Sequence, residues 1–226
     1  MTAIAPLFSD PYRHTFAAFM AERHEPEAIA RLRRAAFARF ETFGWPTRHQ
    51  EAWRFTDLAP LQALTLQKAS AALVDAAVLP ELDVAAHRLV FINGRLAPGL
   101  SSERPLPERT VITGFSQALP RDLDWIAPVL DALPGLQFHP FAALNTALWE
   151  DGAFIYLPQG TVIEEPIHLV FYATGGDMAV YPRLLLALED GAQATVVVEY
   201  RGQGRYLTSP LAELPLGHAA ALHYHP

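Results

Sequence analysis

From Asp151 to Pro226 helix signals stop, and the chain reads as strand and turn: AFIYLP, TVIEEPIHLVFYA, YPRLLLALE, AQATVVVEYRG and AAALHYH. In LVFYA and LLLALE the apolar residues fall on successive positions, whereas a sheet with one wet face alternates. These strands are therefore expected to be covered on both faces, which favours stacked sheets or a β-helix over an open meander. Two repeats suit such stacking. Glu-Asp-Gly-Ala occurs at 150–153 and again at 189–192, and Gly191, Gly204 and Gly217 recur every 13 residues, as turns at fixed positions would.

The chain before this point is mainly helical in pattern. Residues 9–43 read as helix, with Ser9 or Asp10 placed to accept from first-turn amides and Pro11 where a missing N–H is harmless. A second helix is expected to start at Pro26. Its apolar positions Ile29, Leu32, Ala36, Phe40 and Phe43 line one face, and Gly44 suits a left-handed cap. Arg31, Arg33, Arg34 and Arg39 alternate with Glu22, Glu25, Glu27 and Glu41, which predicts a solvated face of mixed charge. The alanine-rich run from Ala69 to Val78 predicts a short helix capped by Ser70. Arg88 to Ala97 carries Asn93-Gly94 between β-rich flanks and predicts a small hairpin. A strand at 111–113 and helices from Asp122 to Leu133 and from Pro140 to Trp149 complete this part. The expected organisation is α+β: a mainly helical region over 1–150 with the hairpin near 88–97, then a strand region over 151–226.

Composition limits the chemistry. Of the 226 residues 51% are hydrophobic and 18% charged, enough for a sizeable core. The absence of cysteine removes disulfides, cysteine nucleophiles, thiolate metal sites and any iron–sulfur cluster held by this chain's own thiolates. A net charge of −7 is the wrong sign for a dedicated nucleic-acid binder. The opening MTAIAPLFSDPYRHTF lacks a basic region followed by an apolar run, and no long uncharged apolar stretch follows, so a cytoplasmic protein without membrane spans is expected.

Three groupings are candidates for chemistry. Thr47-x-x-Gln50 reads as a helix start, and Glu51, Trp53, Arg54, Phe55, Thr56 and Asp57 follow it as a dense mixture read as an ion pair with aromatic anchors. His223 and His225 share a strand face and, with His218 and Glu213 as the nearest carboxylate, compare with a metal site; a surface histidine pair is the plainer reading. Asp151, Asp190, Glu164, Glu165 and Glu189 offer carboxylate pairs for glycoside chemistry, but Asp151 and Asp190 each precede a glycine, where turn formation explains them. Phosphate-loop, nucleophile-elbow and His-Glu-x-x-His patterns are absent. No catalytic, cofactor-binding or metal-binding role is assigned to any residue.

The stretch GWPTRHQEAWRFTDLAPL, from Gly44 to Leu61, resembles the N-terminal pattern of the SufD family of iron–sulfur cluster assembly scaffold subunits, within the SufB/SufD superfamily. HPFAALNTALWEDGAFIYLPQGTVIEEPIHL, YPRLLLALEDGAQATVVVEYRG and FINGRLAPGLSS are similar to further stretches of that family. The resemblance implies the first coils of a right-handed parallel β-helix after a helical N-terminal region, in what looks like an N-terminal piece of a longer protein. It implies a non-catalytic scaffold acting with a SufB-like partner and a SufC-like ATPase, the cluster and the ATP belonging to the complex. In the family the SufC-docking segment, the SufB-facing part and the proposed cluster-ligating histidine lie further along, so no ligand is carried over here. The alternatives are a β-helix enzyme acting on carbohydrate or acyl substrates, with Glu164, Glu165, Glu189 and the terminal histidines converging in a groove, or a generic protein-interaction module. An open β-helix end is also expected to favour self-association.

Overall fold

The computed structural model describes residues 10–62, 67–102 and 104–226. Ser9, proposed above as a cap, lies outside them. In chain order the elements are α1 (Asp10–Ala21), α2 (Glu27–Phe43), α3 (Ala59–Gln62), β1 (Gln67–Lys68), β2 (His87–Ile92), β3 (Arg95–Leu96), β4 (Val111–Gly114), α4 (Phe115–Ile126), α5 (Pro140–Leu148), β5 (Gly152–Leu157), β6 (Ile167–Val180), β7 (Arg183–Leu188), β8 (Gln193–Thr208), β9 (Leu211–Glu213) and β10 (Ala221–His225).

The strands form two sheets. One runs β10-β8-β6-β2-β3, with β1 beside β6, and the other runs β4-β5-β7-β9. From β5 onward the chain alternates between them: β5, β7 and β9 pair in parallel in one sheet, while β6, β8 and β10 pair in parallel in the other. Each return advances the register by about 30 residues, as in Gly152↔Arg183, Arg183↔Leu211, Ile167↔Val196 and Gln193↔Ala221. Every second side chain points into the space between the sheets. There Leu169, Phe171, Leu184, Leu186, Val196 and Val198 are buried, and Phe91, Phe171 and Tyr200 stack as a ladder with centroids 4.7 and 5.5 Å apart.

The outer faces are covered too, which accounts for the unbroken apolar runs. Phe154 and Leu185 of the β5–β7 sheet pack under α2, α4 and α5 with Phe40, Phe115 and Trp149. On the other sheet Val90, Ile92, Val170 and Tyr172 are covered by Leu79 and the segment around Ala72 and Val74. That segment is not the predicted helix from Ala69 to Val78. It runs irregularly across the sheet, and only Ala76–Val78 forms a 3-10 turn, capped by Asp75 rather than Ser70. Covering the apolar strands outweighs the helix preference of alanine.

The 13-residue glycine spacing does not match the winding, whose register advances by about 30 residues. Nor are the two Glu-Asp-Gly-Ala copies equivalent: Gly152 opens β5, whereas Gly191 sits in the turn before β8 at φ 69°. The glycines that matter to the winding are those where stacked turns meet. A Cβ on Gly204, at φ 100°, would lie 1.9 Å from the Gly175 carbonyl oxygen.

Asn93 and Gly94 both have positive φ and turn β2 into β3, in the register Phe91↔Leu96 and Ile92↔Arg95. The helix predicted from Asp122 begins earlier, at Phe115, and is broken at Asp122; Leu133 lies beyond it. Gly44 ends α2 with its N–H on the Phe40 carbonyl, but at φ 70° and ψ −177° it is in an extended positive-φ conformation and not the left-handed helical cap expected. Thr47 and Gln50 do not make a side-chain cap; the Gln50 N–H donates to the Thr47 carbonyl in a turn, and a 3-10 helix over Glu51–Trp53 follows.

Candidate functional site

The residues after Gly44 form an anchor. Trp45 lies edge-on to Tyr12, Phe40 and Phe141 at 5.5 to 5.7 Å, and Trp53 reaches Phe141 at 5.4 Å. Glu51 pairs with Arg54 at 2.9 Å, whose guanidinium lies 4.4 Å over the Phe55 ring, which stays exposed, and Asp57 accepts from the Ala59 N–H. Trp45 and Trp53 thus fix this segment to α2 and α5, whereas the Glu51–Arg54 pair is local and Phe55 does not serve as an anchor.

The carboxylates do not converge. Asp151 caps α4, accepting from the Ser116 N–H and hydroxyl, and it also receives the N–H groups of Leu96 and Gly152. Glu189 accepts from the Tyr156 hydroxyl at 2.6 Å and the Gln159 N–H at 2.9 Å, and the tyrosine hydrogen bond lowers its pKa. Asp190 holds the His218 N–H at 2.7 Å in the next turn. Glu165 pairs with Arg104, and Glu164 is exposed on the same loop. A groove combining Glu164, Glu165 and Glu189 with the terminal histidines does not form, and the carbohydrate or acyl enzyme reading loses its site.

His218, His223 and His225 are exposed, His223 opposite Thr195 and His225 opposite Val197. Glu213 turns inward and is fully buried against Arg183, away from a site with these histidines. Among the described residues no group of three histidines or carboxylates is set to hold a metal ion.

The strongest polar clusters escaped the sequence reading. Arg183 and Glu213 are both fully buried and ion-paired. Arg183 also donates to Thr146 at 2.8 Å, Glu213 accepts from the Asp131 N–H, and Asp131 pairs with Arg39 of α2. Asn145 donates to the Pro182 and Ser209 carbonyls. This network joins α2, α5, β7 and β9. A second cluster centres on Glu150, which meets Arg23, Lys68 and Arg95 at 2.9 to 3.2 Å. Arg33, expected on a solvated face, is instead fully buried: it pairs with Glu25 at 2.9 Å, donates to the Ala147 and Trp149 carbonyls, and lies 4.3 Å over the Trp149 ring. Burial pushes its guanidinium down to about 9. A visible signal was available for two of them, since Arg183 and Asn145 interrupt runs too apolar to leave a polar side chain in solvent.

These clusters hold elements together and present no organised reaction centre. None of the described helices is long and apolar enough to cross a membrane.

Comparison with known proteins supplies the identity. Residues 8–169 match the SufBD protein N-terminal region. The iron-sulfur cluster assembly SufBD family protein slr0076 of Synechocystis sp. is 34% identical over 165 residues, taking in 69% of this chain and 35% of that relative. The iron-sulfur cluster assembly proteins SufB and SufD of Bacillus subtilis are 37% identical over 57 residues and 34% over 62, covering 25% and 27% of the chain and 12% and 14% of the relatives. The matched stretches take in 35% or less of each of these relatives. With its family match running from α1 into β6, this chain belongs to the SufBD family of iron–sulfur cluster assembly proteins.

Proposed function

We propose that this chain is part of a non-catalytic, SufD-like scaffold subunit that works in the cytoplasm beside a SufB-like partner and a SufC-like ATPase. The observation that carries this reading is the family match over residues 8–169. The cluster is cargo of the assembled complex and ATP is used by the ATPase; this chain contributes a rigid platform. Engagement of Asp151, Glu189, Asp190 and Glu213 in caps, turns and a buried pair supports that role. SufD is preferred to SufB on the Gly44 to Leu61 pattern.

We read residues 151–226 as the first coils of a right-handed parallel β-helix. Alternation of the chain between two parallel sheets, with a steady register advance and a filled interior, supports it.

The test is co-expression of the full-length gene product with the SufB-like and SufC-like proteins of the same genome, followed by size-exclusion chromatography. Co-elution of all three, with loss of iron–sulfur enzyme activity under iron limitation when the gene is deleted, is the expected result. Normal iron–sulfur enzyme activity in the deletion strain would mean a protein-interaction module with no part in cluster assembly.

A further inference from the structure

A cleft of about 680 Å³ opens between β2 and the β4–α4 corner, on the side of the winding away from β9 and β10. Its walls carry Arg88, Arg104 and Arg121, and none of the described residues lining it is a carboxylate. Glu165 reaches Arg104 from beside the cleft, at 3.1 Å, and leaves the other two guanidiniums without an ion pair among the described residues. Arg121 is exposed. Arg88 shares the outer face of β2 with Val90 and Ile92 and donates there to the Pro80 carbonyl, so its guanidinium is committed to that face; in the cleft itself the buried Thr110 hydroxyl lacks a partner. A buried hydroxyl left unsatisfied beside an open cleft is short of a partner there.

The backbone of this wall is short of partners as well. β4 pairs only with β5, antiparallel, in the register Val111↔Tyr156 to Gly114↔Ala153, and is the last strand of its sheet. In such a pair only alternate residues bond across to the neighbour, so the others direct N–H and C=O groups to the free side, where Thr110 to Thr113 line the cleft. Leu106 and Ile112 add apolar lining to the cleft. A free strand edge, apolar lining and the exposed Arg104 and Arg121, of which only Arg104 has a carboxylate partner among the described residues, together describe a place for an extended strand with acidic side chains.

We propose that this cleft is a docking site for an extended acidic segment of a partner protein, which adds to the free edge of β4 and lays its carboxylates against Arg104 and Arg121. A small anion would use the arginines alone; the strand edge is what favours a peptide.

The probe is a fluorescent peptide of alternating Glu and Val residues, followed by anisotropy on the whole 226-residue chain. It is compared with the Lys and Val counterpart and with a Glu and Val peptide N-methylated at alternate residues. Expected are binding at least about tenfold tighter than the Lys peptide, a loss of about tenfold on N-methylation, and a similar loss in Arg121→Glu, weakening further with salt. Arg121 is exposed, so this variant is expected to keep the parent's circular dichroism. Equal binding by the N-methylated peptide, together with displacement by citrate, would overturn the proposal in favour of a small-anion site. Equal binding by the Lys peptide, or none by the Glu peptide at about 1 mM, would overturn it outright.

Discussion

Both oxygens of Asp151 are committed to other parts of the chain: Oδ1 accepts from the Ser116 and Gly152 N–H groups, and Oδ2 from the Ser116 hydroxyl and the Leu96 N–H. One side chain therefore starts α4, starts β5 and holds the returning strand β3. In Asp151→Ala these donors lose a charged acceptor at a site only 4% exposed, and a loss of about 2–3 kcal/mol is expected from the urea midpoint. A loss below about 0.5 kcal/mol would mean that water takes over the role. The buried histidines give a prediction in pH. Burial lowers the pKa of His168, partly offset by its hydrogen bond to Glu199 at 3.1 Å, and burial lowers His87 likewise against Glu165. The unfolded chain takes up these protons near the ordinary value of 6.5 while the folded chain still resists them. Below that pH the unfolded state binds more protons, so stability is present above about 6.5 and falls as the pH drops towards the folded values. Urea midpoints measured across this range are expected to decline on acidification, and less steeply in His168→Gln. An unchanged slope in that variant would show that His168 does not carry the effect.

At the level of elements, α2 was readable because Ile29, Ala36 and Phe40 recur at helical spacing, and all three are fully buried. Arg33 was not, because its reason for being inside lies far along the chain in the Ala147 and Trp149 carbonyls at the end of α5. No local pattern announces a cation whose partners are distant backbone oxygens. Arg183 stands out as a cation in an apolar run, but its partner Glu213 does not, since the two belong to different strands. The segment from Ala69 to Val78 misled in the opposite direction: local helix preference was plain, but the apolar outer face of β2 and β6 requires a cover. Arg33 is expected to be the clamp between α2 and α5. Arg33→Ala strands Glu25 with Arg23 alone and leaves two carbonyls unsatisfied, and a cost of about 3–5 kcal/mol is expected, with a changed Trp149 environment seen in fluorescence. Arg31→Ala, on the exposed side of the same helix, is expected to stay within about 0.5 kcal/mol of the parent. Similar losses in both would remove the special role of Arg33.

For the whole molecule, the unbroken apolar runs after Asp151 were the informative signal, since only coverage on both faces makes them tolerable. The period was not legible. Turns between strands differ in length, and β6 and β8 stay paired through Gly175, Gly202 and Gly204, with a register shift just after Gly176, so glycine spacing records strand irregularities as well as turns. Stacking also has a directional consequence. Each parallel strand covers the one before it, whereas β9 and β10 are each the last of their sheet among the described residues and have one edge without a neighbour. Near that edge Ala212, Leu214, Leu222 and Tyr224 are only partly buried, although they pack on the interior cluster. Unpaired N–H and C=O groups beside apolar side chains are a template for another chain. The 226-residue chain is therefore expected to self-associate as its concentration rises, and light scattering should report a mass climbing above the 24.9 kDa of one chain. Replacing Leu222 by Lys puts a charge beside the open edge, and Lys is among the residues by which natural edge strands resist pairing, so the onset should move to higher concentration. A mass that stays at one chain throughout the concentration series would show that these edges are already shielded from pairing.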